Sequence, residues 1–183
     1  MIYVIDHKDS FTHNVVHQLS MFDKVECDDY SKVNKLKLKK ASTIVFSPGP
    51  GSPKDYPLTS KIYNQLKGKK KIIGICLGFQ QILFSEGAQI VEQNKIYHGF
   101  QSEVSVNNLS KLFKKGQKFK VGRYHSLRLN EPFNAKNFDI TMRCAISGSA
   151  MALENNTDKI YGFQFHPESF LTQNGNLLIK KIL

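Results

Sequence analysis

The chain is predicted to fold as an α/β protein, with an open, mostly parallel central sheet flanked by helices and continued by a mixed or antiparallel extension. Three observations lead there. Short β-branched runs alternate with helically spaced apolar stripes through the first half. Beyond about Gln89 the pattern changes to strand-like stretches with few helices between them. At 183 residues the chain can also bury one substantial core without disulfide or metal support. With no internal repeat, low-complexity tract or linker, one domain over residues 1–183 is expected.

In chain order, residues 2–5 read as a strand, followed by a helical stripe at Phe11, Val15, Leu19 and Phe22 and a second strand at 25–27. Thr43–Phe46 reads as a third strand, and a stripe at Ile62 and Leu66 leads into Lys71–Ile75 and then a helical stretch at 79–84. Strand, helix, strand in this rhythm implies parallel pairing through crossover helices. The later strand-like stretches are 89–91, 103–106, 119–121, 139–145, 151–154 and 160–165, and a helix over 176–182 closes the chain.

Composition narrows the function classes. The net charge of +11 reflects 26 Lys and Arg against 15 Asp and Glu, with lysine runs at Lys35–Lys40 and 69–71. Neither run carries interleaved aromatics or a nucleic-acid-binding motif, so both are read as solvated faces, and no nucleic-acid partner is expected. Cys27, Cys76 and Cys144 are far apart, without Cys-X-X-Cys or histidine at ligand spacing, which indicates neither a zinc site nor a disulfide framework. The N-terminus Met1-Ile-Tyr-Val-Ile-Asp lacks signal-peptide character, and no apolar run approaches membrane-spanning length. A cytoplasmic protein with no membrane partner is the expectation.

In open α/β sheets ligands gather at the carboxyl ends of strands, and three motifs stand at such ends. After Lys71–Ile75 comes Gly74-Ile75-Cys76-Leu77-Gly78, opening a helical stretch. This has the form of a nucleophile elbow with cysteine as the nucleophile, its glycines making room for a strained turn. A helix N-terminus there favours a thiolate. The alternative for Cys76 is an inert buried thiol, which is also the reading for Cys27 and Cys144.

The stretch at 160–165 ends in His166-Pro167-Glu168-Ser169, where proline stops the ladder and Glu168 is near enough to orient the His166 ring. His7, His13, His17 and His98 have no carboxylate at such a corner and are read as merely solvated. The third motif, Ser47-Pro48-Gly49-Pro50-Gly51-Ser52-Pro53, has no Gly-Lys-Ser/Thr ending, and its prolines remove donors that would cradle phosphate. A stiff loop with N–H groups at Gly49 and Gly51 suits an oxyanion hole.

Together these motifs resemble the class I glutamine amidotransferases, in particular the small subunits of anthranilate synthase and aminodeoxychorismate synthase, whose domain is flavodoxin-like. The resemblance spans nearly the whole chain. It runs through Asp9-Ser10-Phe11-Thr12 with Asn14, Ser47-Pro48-Gly49-Pro50-Gly51, Gly74-Ile75-Cys76-Leu77-Gly78 with Gln80, Arg123-Tyr124-His125-Ser126-Leu127, and Gln164-Phe165-His166-Pro167-Glu168-Ser169.

The resemblance implies a triad of Cys76, His166 and Glu168 that hydrolyses L-glutamine through a glutamyl thioester. It implies an oxyanion hole at the N–H groups of Gly49 and Leu77. Glutamine would be held by Gly49, Pro50, Gly51, the Gln80 side chain, and the backbone of Ser126 and Leu127. Ammonia would pass to a larger chorismate-binding synthase subunit. No cofactor or metal is implied in this chain, and any magnesium would belong to the partner.

Three places depart from the family's usual pattern: Phe79 and Phe100 stand where histidine or His-Gly-Lys is common, and Val106-Asn107-Asn108 replaces His-Asp-Gly. These bear on the partner-facing surface. Within cysteine hydrolases, a γ-glutamyl hydrolase or peptidase is the rival, and a catalytically silent regulatory subunit is the alternative outside them.

Overall fold

The computed structural model describes residues Met1–Leu183. Its main sheet has nine strands, in the order β2 (Val25–Asp29), β1 (Ile2–Asp6), β3 (Thr43–Phe46), β4 (Lys71–Ile75), β11 (Ile160–Phe163), β10 (Ala150–Asn155), β9 (Asp139–Cys144), β6 (Phe100–Val106) and β7 (Lys118–Arg123). The first five are parallel, and from β10 onward each strand pairs antiparallel. The mixed α/β architecture expected from the alternation is thus present, with the change of direction falling between β11 and β10.

Two apolar layers cover the parallel strands, and the strand period of two assigns residues to them. Ile2, Val4, Ile73 and Ile75 face the layer that holds Val15 and Leu19 of α1 (Thr12–Ser20) and Leu178, Ile179 and Ile182 of α5 (Gly175–Ile182). Tyr3, Ile5, Ile44 and Ile72 face the opposite layer, with Ile62 and Tyr63 of α3 (Pro57–Leu66) and Phe79, Ile82 and Leu83 of α4 (Leu77–Ser85). Burial on both faces is why these strands read as continuous apolar runs.

The structure corrects the sequence-based outline in four places. The lysine run Lys35–Lys40 is a short helix, α2, with no buried residue, its first turn capped by Asn34 Oδ1 accepting from the N–H groups of Leu36 and Lys37. Leu127–Leu129, not anticipated as a strand, is β8, and it pairs with β5 (Ile90–Glu92) in a separate two-stranded sheet. His7, read as solvated, is fully buried, whereas His13, His17 and His98 are exposed. Phe79 is fully buried in the core beneath α4 and cannot face a partner; Phe100 remains 46% exposed.

Candidate active site

Cys76 sits between β4 and α4 with φ 52° and ψ −103°, a left-handed conformation that a side chain rarely adopts. Such a backbone costs on the order of 1–3 kcal/mol and persists only where the surroundings over-determine it. Here they do. The Cys76 N–H donates to Phe163 O at 2.8 Å, and Cys76 O accepts from the Gln80 N–H at 3.1 Å. A Cβ on Gly74 would run into the backbone of Gly78 and Phe79, and one on Gly78 would run into the Phe46 carbonyl. The two glycines let α4 lie directly on β3 and β4, which presses the elbow into its turn.

The second corner begins where β11 leaves the ladder. Beyond Phe163 the chain crosses to the antiparallel half, where the His166 N–H donates to Gly122 O at 3.0 Å and His166 O accepts from Thr172 Oγ1 at 2.5 Å. His166 Nδ1 is 2.6 Å from Glu168 Oε1, and both side chains are almost wholly out of solvent, at 2% and 0% exposure. The rings of Phe11 and Tyr124 pack edge-on to the imidazole, each 5.0 Å away between centroids. Burial acts to lower the His166 imidazolium, but the nearby Cys76 and Glu168 outweigh it and hold the ring well above its ordinary value. Nδ1–H is committed to the carboxylate and Nε2 has no hydrogen-bond partner within the chain. The ring is therefore oriented by Glu168, with one nitrogen open for proton transfer.

The loop after β3 forms the opposite wall. A Cβ on Gly49 would lie 2.5 Å from Leu77 Cδ2 and 2.6 Å from His7 Cβ, so only glycine lets the loop approach the elbow. Gly51 has φ +72°, and Tyr56 Oη braces the loop by donating to Pro50 O at 2.8 Å. Beneath it, the His7 ring lies 3.3 Å from Ser47 Oγ through Nδ1 and 2.9 Å from Thr59 Oγ1 through Nε2. Burial pushes His7 down to about 4, so it is a neutral strut. The Gly49 N–H makes no hydrogen bond within the chain, and Leu77, at the first helical position of α4, lacks an intrahelical acceptor for its own N–H.

The third wall is the segment from Arg123 to Leu127. Arg123 is fully buried, its guanidinium 3.5 Å from the Tyr97 ring centroid, and its Nε–H donates to His125 Nε2 at 3.1 Å. Because arginine only donates, His125 carries its proton on Nδ1, which donates to Leu127 O at 2.8 Å. Burial, then the Arg123 charge, push His125 down to about 3. Gln80 Nε2 donates to the same Leu127 carbonyl at 3.3 Å and to Gln164 Oε1 at 3.0 Å. With both hydrogens of its amide nitrogen used, Gln80 offers the pocket an acceptor, Oε1.

Between these walls lies a cavity of about 190 Å³, lined by Cys76, Leu77, Gly49, Pro50, Gly51, Gln80, Ser126 and Leu127 together with Asp9, Tyr124 and His125. Eight of the ten candidate residues from the sequence thus share one lining. The other two, His166 and Glu168, do not line it and are buried behind it. A larger cleft of about 520 Å³, bounded by Lys69, Lys70, Lys71 and Lys159, lies at the amino ends of β3, β4 and β11, away from all of these residues. No cluster of three or more His, Cys, Asp or Glu side chains suits a metal ion.

Sequence reasoning missed the supports. His125 and Gln164 stood inside quoted motifs without a role, and their position between better understood residues was the available signal. His7 offered none, since its partners Ser47 and Thr59 are 40 and 52 residues away.

A family model described as "Glutamine amidotransferase class-I" matches residues 3–183. The chain is 38% identical over 187 residues to the anthranilate synthase component 2 of Lactococcus lactis, covering all of this chain and 93% of that one. It is 32% identical to the component of the same name from Helicobacter pylori, covering 98% of this chain and 94% of the relative. It also matches the bifunctional protein TrpGD of Thermotoga maritima at 32% identity, covering all of this chain but 32% of that protein. Among solved structures, a Thermoplasma acidophilum protein described as a GMP synthase component superposes with a TM-score of 0.84 at 23% identity, over 99% of this chain and 90% of that one. A glutamine amidotransferase from Thermotoga maritima does so with a TM-score of 0.72 at 16% identity, over 91% and 75%. Both share the fold.

Proposed function

This chain belongs to the class I glutamine amidotransferase family, and from that premise we propose that it is a glutaminase subunit, one domain over residues 1–183, supplying ammonia to a larger chorismate-using synthase subunit. The observation that carries the reading is the convergence of a strained cysteine elbow and unpaired backbone donors on one small cavity, with a carboxylate-oriented histidine buried behind it.

Glutamine binds with its side-chain amide carbon over Cys76 Sγ. Gln80 Oε1 accepts from the α-ammonium group, and the N–H groups of Gly51 and Ser126, neither bonded within the chain, are available to the α-carboxylate. The thiolate adds to the amide carbon, and the oxyanion that forms is met by the N–H groups of Gly49 and Leu77, donors the fold leaves without a partner. His166, held as an imidazolium by the neighbouring charges, gives its Nε2 proton to the departing amine, and the carbon–nitrogen bond breaks to release ammonia. Water then loses a proton to Nε2 and adds to the thioester; glutamate leaves and the thiolate is restored. Glu168 holds the ring in one tautomer and balances its charge throughout.

Full-length similarity to anthranilate synthase component 2 supports the chorismate-using partner, with anthranilate or 4-amino-4-deoxychorismate as the product of the pair. The reading asks for no cofactor in this chain, and any magnesium belongs to the partner. It also sets the protein in the cytoplasm, because the nucleophile must stay a free thiol; no helix is long and apolar enough to cross a membrane.

The test is treatment with 6-diazo-5-oxo-norleucine, intact mass measurement and peptide mapping, alone and with the synthase partner present. One adduct on Cys76, blocked by excess glutamine, is expected. No adduct under either condition would leave a subunit that has the fold without the chemistry.

A further inference from the structure

Resting on the glutaminase reading above, we propose that Gln164 is a positioning residue that couples recognition of the substrate's α-amino group at Gln80 to the orientation of the Cys76 sulfur. Gln164 lies just past β11, 1% exposed, and its side-chain amide is used at both ends. Oε1 accepts from Gln80 Nε2 at 3.0 Å, and Nε2 donates to Cys76 Sγ at 3.8 Å. Gln80 in turn donates to Leu127 O at 3.3 Å. A line of amides therefore runs from the pocket wall through Gln80 and Gln164 to the nucleophile.

Its polarity is fixed at the pocket end. The Leu127 carbonyl can only accept, so Gln80 must present nitrogen to it, and the oxygen of Gln80 is then what remains for the cavity. An ammonium group donating to that oxygen polarises the amide, strengthens its N–H donation to Gln164, and so strengthens the Gln164 N–H donation to sulfur. Hydrogen bonds in such chains reinforce one another by roughly 10–30% each. A substrate with the α-amino group thus meets a better held sulfur than one without it, and discrimination appears in kcat as well as in KM.

The discriminating substrate is glutaramate, 5-amino-5-oxopentanoate, which is glutamine without its α-amino group. Two variants of nearly equal volume separate positioning from packing. Gln164→Met keeps the bulk and loses both hydrogen bonds; Gln164→Glu keeps the acceptor for Gln80 and replaces the donor facing sulfur with a carboxylate oxygen. Glutamate release is measured with glutamine, and ammonia release with both substrates, using whichever form of the protein, alone or with its synthase partner, gives wild-type turnover.

The expected results are a kcat for glutamine about tenfold lower in Gln164→Met with KM within about threefold, and a kcat in Gln164→Glu no higher than in Gln164→Met. The kcat ratio of glutamine to glutaramate, above one in the wild type, falls towards one in both variants. If Gln164 serves only as an acceptor for Gln80, Gln164→Glu will retain wild-type kcat, and that result overturns the proposal. An unchanged substrate ratio in both variants also overturns it, while the glutaminase reading stands. Wild-type protein that neither turns over glutamine nor takes the diazo-norleucine adduct on Cys76 would overturn the glutaminase reading, and this inference with it.

Discussion

The parallel half of the sheet and its antiparallel half shape the candidate site by different means. At the ends of β3 and β4 the site is carved by steric exclusion: Gly49, Gly74 and Gly78 have no room for a Cβ, and Cys76 is pressed into a left-handed turn as a result. On the antiparallel side the wall from Arg123 to Leu127 is held by polar side chains, with Arg123 bonded to His125 and His125 to the Leu127 carbonyl. Steric shaping leaves its record in glycines, two of them flanking Cys76 and one in the loop that closes on it. A polar network leaves its record in residues such as Arg123 and His125, each of which could pass for a surface residue in the sequence.

The largest expected effect lies at the steric corner. Cys76→Ala should reduce glutamine hydrolysis by at least about 10⁴-fold, measured as glutamate release, while the partner's use of free ammonia continues. Equal loss with both nitrogen sources would show that the corner shapes the complex and not the chemistry.

Next is a pair of glycine substitutions. Gly78→Ala drives a methyl group into the Phe46 carbonyl, whereas Gly148→Ala, at φ +67°, has open space around it. The first should destabilise by about 3 kcal/mol or more and lower the melting temperature by roughly 10 °C, the second by about 1 kcal/mol. Similar melting temperatures for the two variants would contradict the steric account.

The buried histidines sharpen the comparison through pH. His7, under the Gly49 loop, and His125, in the polar wall, are both held neutral, with values of about 4 and about 3. The unfolded chain protonates them near pH 6.5, so it binds more protons than the fold between there and about pH 4. The stability they allow is present above that range and drains away as pH falls, on the order of 3 kcal/mol from His7 alone. His166 has the opposite sign: raised in the fold, it contributes below about pH 6.5 and its share is lost as pH rises through its elevated value. Thermal melts should therefore fall steeply from pH 6.5 to 4, and His7→Gln should flatten that slope. A flat wild-type profile over that interval would refute the neutral-strut assignment.

The smallest effect belongs to the outer face of the antiparallel half. Lys118 and Glu103 pair across β6 and β7 at 2.9 Å with 63% and 39% of their side chains exposed. Glu103→Gln should change stability by less than about 0.5 kcal/mol, since such pairs are screened by solvent. A larger loss in chemical denaturation would mean that surface charge matters here more than the buried network does.

The amino-acid sequence by itself determined the alternation of strands and helices, the cysteine elbow and the His-Pro-Glu corner. Each depends on neighbours within a few residues: apolar period, glycine beside a tight turn, proline ending a ladder. Lys35–Lys40 shows the limit, because six residues dense in lysine carry too little apolar pattern to announce a helix that Asn34 caps. Only the tertiary structure decided that Leu127–Leu129 would pair with Ile90–Glu92, that His7 would be buried under the Gly49 loop, and that Gln80, Gln164 and Cys76 would meet in one chain of hydrogen bonds. Those arrangements join residues from 35 to 88 positions apart through single polar contacts or short ladders, whose formation depends on the packed sheet bringing them within about 3–4 Å.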